Sequence, residues 1–227
     1  MFKHEKVGAV IVAAGSSTRM GGVDKIFALL DGKPVLTRAV SVFETTPSVD
    51  CIAIVLNEAN LERGRLLSLT EGWQKVVALV PGGALRQDSV RAGLSHLSDC
   101  RWLIIHDGAR PLVTSELIDT GLEAAETTGA AAATVAVTDT IKEEKSGFIT
   151  RTPPRETLRA AQTPQVFRAD ILSEAYKYAT GAVTDDASLV EAQGHPVKTY
   201  PGDDHNLKIT TPDDLIYAEI IWRRRGC

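Results

Sequence analysis

Apolar residues along the chain alternate between short, nearly continuous runs and longer stretches in which they recur every three or four positions. Val7–Ala14 (VGAVIVAA), Cys51–Leu56 (CIAIVL), Lys75–Val80 (KVVALV) and Trp102–His106 (WLIIH) are of the first kind, and Ala131–Val137 (AAATVAV) is a fifth. Runs without polar alternation mark strands covered on both faces. The stretches near Pro34–Glu44, Glu58–Leu69, Arg86–Leu97 and Ser115–Thr127 are expected helices. Strands and helices in this order imply an α/β domain with a parallel sheet and right-handed crossovers.

The rhythm breaks after Val137. Thr138–Leu158 (TDTIKEEKSGFITRTPPRETL) is polar, with a Lys-Ser-Gly turn and the pair Pro153-Pro154. It is expected to form a hairpin arm projecting from the domain, with Ile141, Phe148 and Ile149 as residues to bury; the alternative is a long irregular loop. Helices near Ala169–Ala179 and Asp186–Gln193 and a strand near Pro196–Tyr200 follow. Thr211-Pro212-Asp213-Asp214 supplies an N-cap, a proline at the first helical position and an acid at the third, so Asp213 and Asp214 are read as helix-start charges. With no internal repeat, low-complexity segment or linker, residues 1–227 are expected to be one domain, with 138–158 as its protruding arm.

Composition narrows the classes. Hydrophobic residues make up 44% and charged residues 24% of 227 positions, an average globular balance that excludes disorder and coiled coil. A chain of this length buries roughly 70–75% of its unfolded surface and needs no disulfide or metal staple. The net charge of −4 argues against a nucleic-acid or anionic-membrane surface. Cys51, Cys100 and Cys227 form no CxxC pair, which points to a reducing compartment. No apolar run reaches the ~18 residues of a membrane span, and no signal-peptide pattern precedes the first strand, so a soluble, cytoplasmic protein is expected.

Candidate chemistry gathers at predicted strand ends. The first strand runs into Ala13-Ala14-Gly15-Ser16-Ser17-Thr18-Arg19-Met20-Gly21-Gly22-Val23-Asp24-Lys25. A glycine-punctuated loop there is where open α/β sheets bind nucleotides, although this one spells neither GxxxxGK[ST] nor GxGxxG. Arg19 and Lys25 add two cations, which phosphoryl and nucleotidyl transfer need because the transition state concentrates negative charge on non-bridging oxygens. The bland reading of the loop is an ordinary solvated surface. The fourth strand ends in His106-Asp107-Gly108-Ala109-Arg110-Pro111. Asp107 would face the same crevice, as a hard oxygen ligand for Mg²⁺ or as a partner of Arg110; His106 lacks the partner spacing of a zinc ligand. Gly82 and Gly83 allow close backbone approach to a base, with Arg86 and Ser89 opening the next helix. Lys208 lies in a short extended run, flanked by Leu207 and Ile209, where a solvated charge is out of place. Thr184-Asp185-Asp186-Ala187-Ser188 is read as a metal cluster or, equally well, as a helix N-cap with acids in its first turn.

The ordered set Ala-Ala-Gly-x-x-x-Arg-Met-Gly…Lys25, Gly82-Gly83…Arg86-x-Asp-Ser-Val, His106-Asp107-Gly-Ala-Arg-Pro, Thr163-Pro-Gln, Thr184-Asp-Asp-Ala-Ser and Asn206-x-Lys208-Ile-Thr resembles the 2-C-methyl-D-erythritol 4-phosphate cytidylyltransferases of the non-mevalonate isoprenoid pathway. The resemblance runs from about residue 7 to residue 221. It implies a Rossmann-like nucleotidyltransferase fold, with a mostly parallel sheet between helices and a β-arm used for dimerisation. It also implies transfer of a cytidylyl group from CTP to the polyol phosphate, with Mg²⁺ or another divalent cation. By motif, Arg19, Lys25 and Lys208 would stabilise charge on the phosphates. Backbone at Ala13, Ala14, Gly15, Gly82 and Gly83, with Ser89, would hold the cytidine, and Arg86 would support that loop. Asp107 would orient the metal or the polyol hydroxyls. In the family the arm crosses to the partner of a homodimer, so Thr140 and Arg155 would meet the polyol phosphate of the other subunit, together with Arg110, Thr163 and Thr184.

Three positions depart from the family pattern: Ser17 replaces a frequent glycine, Asp24 a usual proline in a loop one residue shorter, and Ala84 an acid found in some members. The rival readings are a ribitol 5-phosphate cytidylyltransferase and a non-catalytic nucleotide-binding regulator.

Overall fold

The computed structural model describes residues 1–15, 24–179 and 181–226. Strand β1 (Val7–Ala13) is followed by a short hairpin of β2 (Leu29–Leu30) and β3 (Lys33–Pro34), then by α1 (Val35–Thr45). β4 (Cys51–Leu56), α2 (Leu61–Glu71), β5 (Val76–Pro81), α3 (Arg86–Leu94) and β6 (Trp102–Asp107) continue the alternation. Next come α4 (Ser115–Ala125), β7 (Ala130–Ala136), the arm strands β8 (Glu143–Lys145) and β9 (Phe148–Arg151), and β10 (Arg159–Arg168). The chain ends through α5 (Ala169–Lys177), α6 (Asp186–Ala192), β11 (Lys198–Pro201) and α7 (Pro212–Arg224). The last helix begins with the expected capping box: Thr211 Oγ1 accepts from the Asp214 amide, and Asp214 Oδ2 accepts from the Thr211 amide.

Among the described residues the main sheet has seven strands in the order β11-β7-β10-β6-β1-β4-β5. Its pairs are parallel except the two made by β10. Period-two alternation sends successive residues to opposite faces. Ala9, Ile11 and Ala13 of β1 join Val40 and Phe43 of α1 and Ile118 and Leu122 of α4. Val10 joins Val90 of α3, Leu172 of α5 and Val190 of α6 on the other face. Phe43 is fully buried, and its truncation to alanine is expected to cost about 3–5 kcal/mol. A smaller cluster seats α7 on Leu30, Val35 and Leu112.

β10 is the strand that hydrophobic patterning passes over. RAAQTPQVFR is polar and carries a proline, a poor signature for a central strand. It is held there because Val166 and Phe167 are buried between β6 and β7, and its register shifts between Ala161 and Gln165, where Pro164 sits.

The position of the site follows from the winding. α1 leads from β1 to β4 on one face, whereas α3, on the other, carries the chain back past β4 and β1 to β6. Winding reverses beside β1, and such a switch point leaves a crevice at the carboxyl ends of the strands.

The expected arm is a hairpin. Ser146 and Gly147 turn it with φ of 55° and 85°, the left-handed pair that a two-residue turn requires. Ile141, Phe148 and Ile149 are not buried within the chain; they are 39%, 76% and 65% exposed.

Candidate active site

β1 and β6 lie side by side with Val12 opposite Asp107, and their carboxyl ends open on a cavity of about 390 Å³. Its wall is built by Ala13 at the end of β1, by Ala14 and Gly15 after it, by Lys25, by Gly83, Ala84, Arg86 and Ser89 around the start of α3, and by Asp107 and Lys208. A second cavity, of about 200 Å³, is lined by Arg110, Gln162, Thr163, Gln165, Thr184 and Asp185. Arg86, Asp107 and Lys208 line both, so the two chambers meet at one charged neck.

The neck is centred on a carboxylate. Asp107 Oδ2 lies 2.8 Å from Lys208 Nζ and 3.6 Å from Arg110 Nε, and Oδ1 lies 3.7 Å from Arg86 Nε. Burial alone would raise the Asp107 pKa, but the charges of Lys208, Arg86 and Arg110 outweigh it and hold it at about 2. Asp107 is therefore ionised at neutral pH. Lys208 keeps 39% of its side chain exposed and lines both cavities.

Each of these side chains is aimed by local structure. The segment carrying Lys208 is irregular rather than extended in a ladder. It is fixed by the Ile209 amide donating to the Ala109 carbonyl at 2.8 Å and by buried Asn206, whose Nδ2 donates to the Thr163 carbonyl at 2.8 Å. Arg110 Nη1 donates to the Asn206 carbonyl at 2.6 Å. Thr163 Oγ1 accepts from the Asp107 amide at 3.0 Å and lies 3.1 Å from His106 Nδ1. Burial drives the His106 pKa down to about 4, so this ring is neutral, with Nε2 3.1 Å from the Arg110 carbonyl.

The nucleotide-side loops show why two glycines stand after β5. A Cβ on Gly82 would fall on the Ala14 methyl and come within 2.6 Å of Ser89 Oγ; one on Gly83 would strike Asp88. Gly82 thus serves close packing against the β1 loop and does not line the cavity, whereas Gly83 does. The Ser89 hydroxyl is engaged by the Gly83 amide at 3.2 Å and holds the turn. Asp24 also has a structural task. Its carbonyl accepts from the Phe27 and Ala28 amides at 3.1 and 2.9 Å, and its carboxylate accepts from the Ile26 amide and Asn60 Nδ2. The resulting turn places Lys25 on the cavity wall despite the shorter loop.

Two expected site residues are not brought to this cleft. Thr140 and Arg155 are exposed on the arm and line neither cavity, and Arg155 Nη1 donates to the Thr138 carbonyl at 2.8 Å. Arg19 lies outside the described residues, as does Ser17.

Asp186 has a role that its sequence context does not announce: Asp185 and Asp186 read alike, as helix-start acids or metal ligands. Asp185 does cap α6, accepting from the Ser188 amide at 3.1 Å. Asp186 is fully buried, takes the Arg86 guanidinium at 2.6 Å and accepts from the Tyr176 hydroxyl. The available signal was Arg86 itself, a cation on a half-buried helix start that needs a counter-charge.

A model of the family described as 2-C-methyl-D-erythritol 4-phosphate cytidylyltransferase matches residues 7–224. The chain belongs to the 2-C-methyl-D-erythritol 4-phosphate cytidylyltransferase family. A cytidylyltransferase of that name from Dehalococcoides mccartyi (strain CBDB1) is 55% identical over 225 residues, covering 99% of each chain. One from Geobacillus kaustophilus is 43% identical, covering 96% of this chain and 97% of its own. Among solved structures, the 4-diphosphocytidyl-2C-methyl-D-erythritol synthase of Anaerococcus prevotii superposes with a TM-score of 0.84 at 26% identity, covering 96% of both chains. The α/β nucleotidyltransferase fold and the enzyme class expected from the sequence both hold. No helix among the described residues is long and apolar enough to cross a membrane.

Proposed function

We propose that the chain transfers the cytidylyl group of CTP to 2-C-methyl-D-erythritol 4-phosphate, giving 4-diphosphocytidyl-2-C-methyl-D-erythritol and pyrophosphate in isoprenoid precursor synthesis. The observation that carries this reading is the two-chambered cleft: cavities of about 390 and 200 Å³ meet at Arg86, Asp107 and Lys208. The larger has the size of a small-ligand site and takes the nucleotide. The smaller takes the polyol phosphate, beside Arg110, Thr163 and Thr184.

A phosphate oxygen of the polyol substrate attacks the α-phosphorus of CTP. The new P–O bond forms as the bond to the bridging oxygen of the β-phosphate breaks, and pyrophosphate leaves. The nucleophile needs no general base, because a phosphate monoester is largely dianionic at neutral pH (second pKa about 6). His106, neutral and engaged at both ring nitrogens, has no proton task. Catalysis is then positioning plus electrostatics. Lys208 meets the α-phosphate at the neck, and Lys25, with Arg19 from the β1 loop, meets the outer phosphates.

A divalent cation would be carried in chiefly on the triphosphate, since among the described residues no three acids, histidines or cysteines are grouped to hold one. Asp107 offers one ionised carboxylate at the neck, and Mg²⁺ is commonly held by one or two carboxylates together with substrate phosphates and water. When bound, Mg²⁺ would neutralise phosphate charge, and Asp107 would hold it or the polyol hydroxyls. The working unit is a cytoplasmic homodimer. The exposed Phe148 and Ile149 of the arm are covered by the partner subunit, and Thr140 and Arg155 complete the partner's polyol chamber.

The experiment is pyrophosphate release with CTP and Mg²⁺, comparing 2-C-methyl-D-erythritol 4-phosphate with ribitol 5-phosphate. Release with the first alone is expected. Release with ribitol 5-phosphate alone overturns the polyol, and silence with both overturns the reaction.

A further inference from the structure

We propose that Asp186, backed by Tyr176, is a positioning residue that holds Arg86 away from Asp107 and so keeps the neck between the two chambers open. The inference rests on the cytidylyl-transfer reading and deepens it.

Arg86 has two acidic neighbours. Its Nη1 donates to Asp186 Oδ2 at 2.6 Å, whereas its Nε stands 3.7 Å from Asp107 Oδ1, beyond a hydrogen bond. Asp186 cannot follow the guanidinium, because it is pinned on every side. Its Oδ1 takes the Tyr176 hydroxyl, and Gln165 Oε1 accepts from the backbone amides of Asp186 and Ala187 at 3.2 and 3.0 Å. The pair spans 100 residues of sequence and ties the nucleotide-side helix α3 to the first residue of α6, just past Thr184.

An arginine beside a buried carboxylate forms a short, bidentate pair when nothing else holds it. Without the Asp186 charge, Arg86 swings onto Asp107, competes with Lys208 for that carboxylate, and fills the opening that both substrates must share. Asp186 touches neither cavity wall, so its effect on turnover runs through Arg86.

The test is a double-mutant cycle on the full chain. Asp186→Asn keeps the size of the side chain and an acceptor for Tyr176. It is expected to lower kcat/KM about tenfold for CTP and for the polyol phosphate alike, the size of one charge-assisted hydrogen bond. In an Arg86→Met background the same change is expected to alter kcat/KM less than twofold. Tyr176→Phe, the gentler variant, is expected to cost about threefold and to lose that cost in the same background. Effects that multiply across the cycle, or an Asp186→Asn loss confined to the polyol KM, overturn the proposal and leave Asp186 a loop support. If Asp186→Asn fails to fold by thermal unfolding, the Tyr176→Phe cycle decides alone. A wild-type chain that releases no pyrophosphate would sink the reaction, and the cycle read by CTP affinity in calorimetry would still decide the role of Asp186.

Discussion

Lys208, Arg110 and Thr163 in the cleft differ from Thr140 and Arg155 on the arm first in what holds them. The cleft residues are fixed by groups of their own chain: the Asn206 carbonyl holds Arg110, the Asp107 carboxylate holds Lys208, and Thr163 is shared between the Asp107 amide and His106. The arm residues are exposed, and the one described anchor of the Arg155 guanidinium is the Thr138 carbonyl on the same arm. A group preorganised in the monomer contributes to catalysis without being ordered first, whereas a group on an exposed arm acts after something outside the chain has ordered it. Chemistry is thus placed by the fold, and in the proposed dimer substrate recognition on the arm would be placed by assembly.

The sharpest way to break that division is at the neck. Lys208→Ala should slow turnover about 10³-fold, the scale of losing one electrostatic stabiliser, with the fold and oligomeric mass intact. Turnover near wild type would remove Lys208 from the mechanism.

Next in size is a pH effect on the preorganised side. Burial holds the His106 pKa at about 4, against about 6.5 in the unfolded chain. As pH falls the unfolded state takes up this proton first, so stability present above pH 6.5 is lost progressively down to pH 4, by about 3 kcal/mol. His106→Gln should flatten this part of the stability curve in denaturant titrations at pH 7 and pH 4.5; an unchanged slope would assign the loss elsewhere.

On the arm, Phe148→Ser should weaken the dimer about 30-fold in sedimentation equilibrium, as expected for losing an aromatic anchor, while the secondary structure of each chain stays intact. A dimer of unchanged affinity would place the interface elsewhere. The smallest effect is expected at the arm's polar contacts. Thr140→Ala or Arg155→Ala should raise the KM for the polyol phosphate about tenfold and leave that for CTP within twofold. Mixing either variant with Lys208→Ala subunits should restore activity if sites are shared between subunits. No recovery would confine each site to one chain.

How much of this was legible in the sequence follows the same division. β1, β4, β6 and the first half of β7 announced themselves because strands buried on both faces must be apolar throughout, whereas β5 carries the same apolar run as an edge strand with Val77 exposed. The helix caps at Thr211 and Asp185 were readable because capping is local chemistry. β10 was not readable, since its place depends on neighbours far away in the chain, and Gln162, Thr163, Pro164 and Gln165 make its buried part look polar. Lys25 was legible as a cation near phosphates, but its reach depended on the turn made by Asp24, which shortening the loop had put in question. Asp186 was hidden for the opposite reason: an acid after an N-cap has a sufficient local explanation, and its buried contact with Arg86 is a tertiary fact.

The arm leaves the sheet from β7 and returns through β10, and those strands are already paired at its base, Ala136 with Arg159 and Val135 with Ala160. It is therefore spliced into the domain as a cassette. Its tip at Ser146 and Gly147 can be lengthened, shortened or exchanged without disturbing a single register of the seven-stranded sheet. Chimeras that swap this hairpin between related chains would accordingly show whether the arm sets the choice of partner, as the proposed dimer requires.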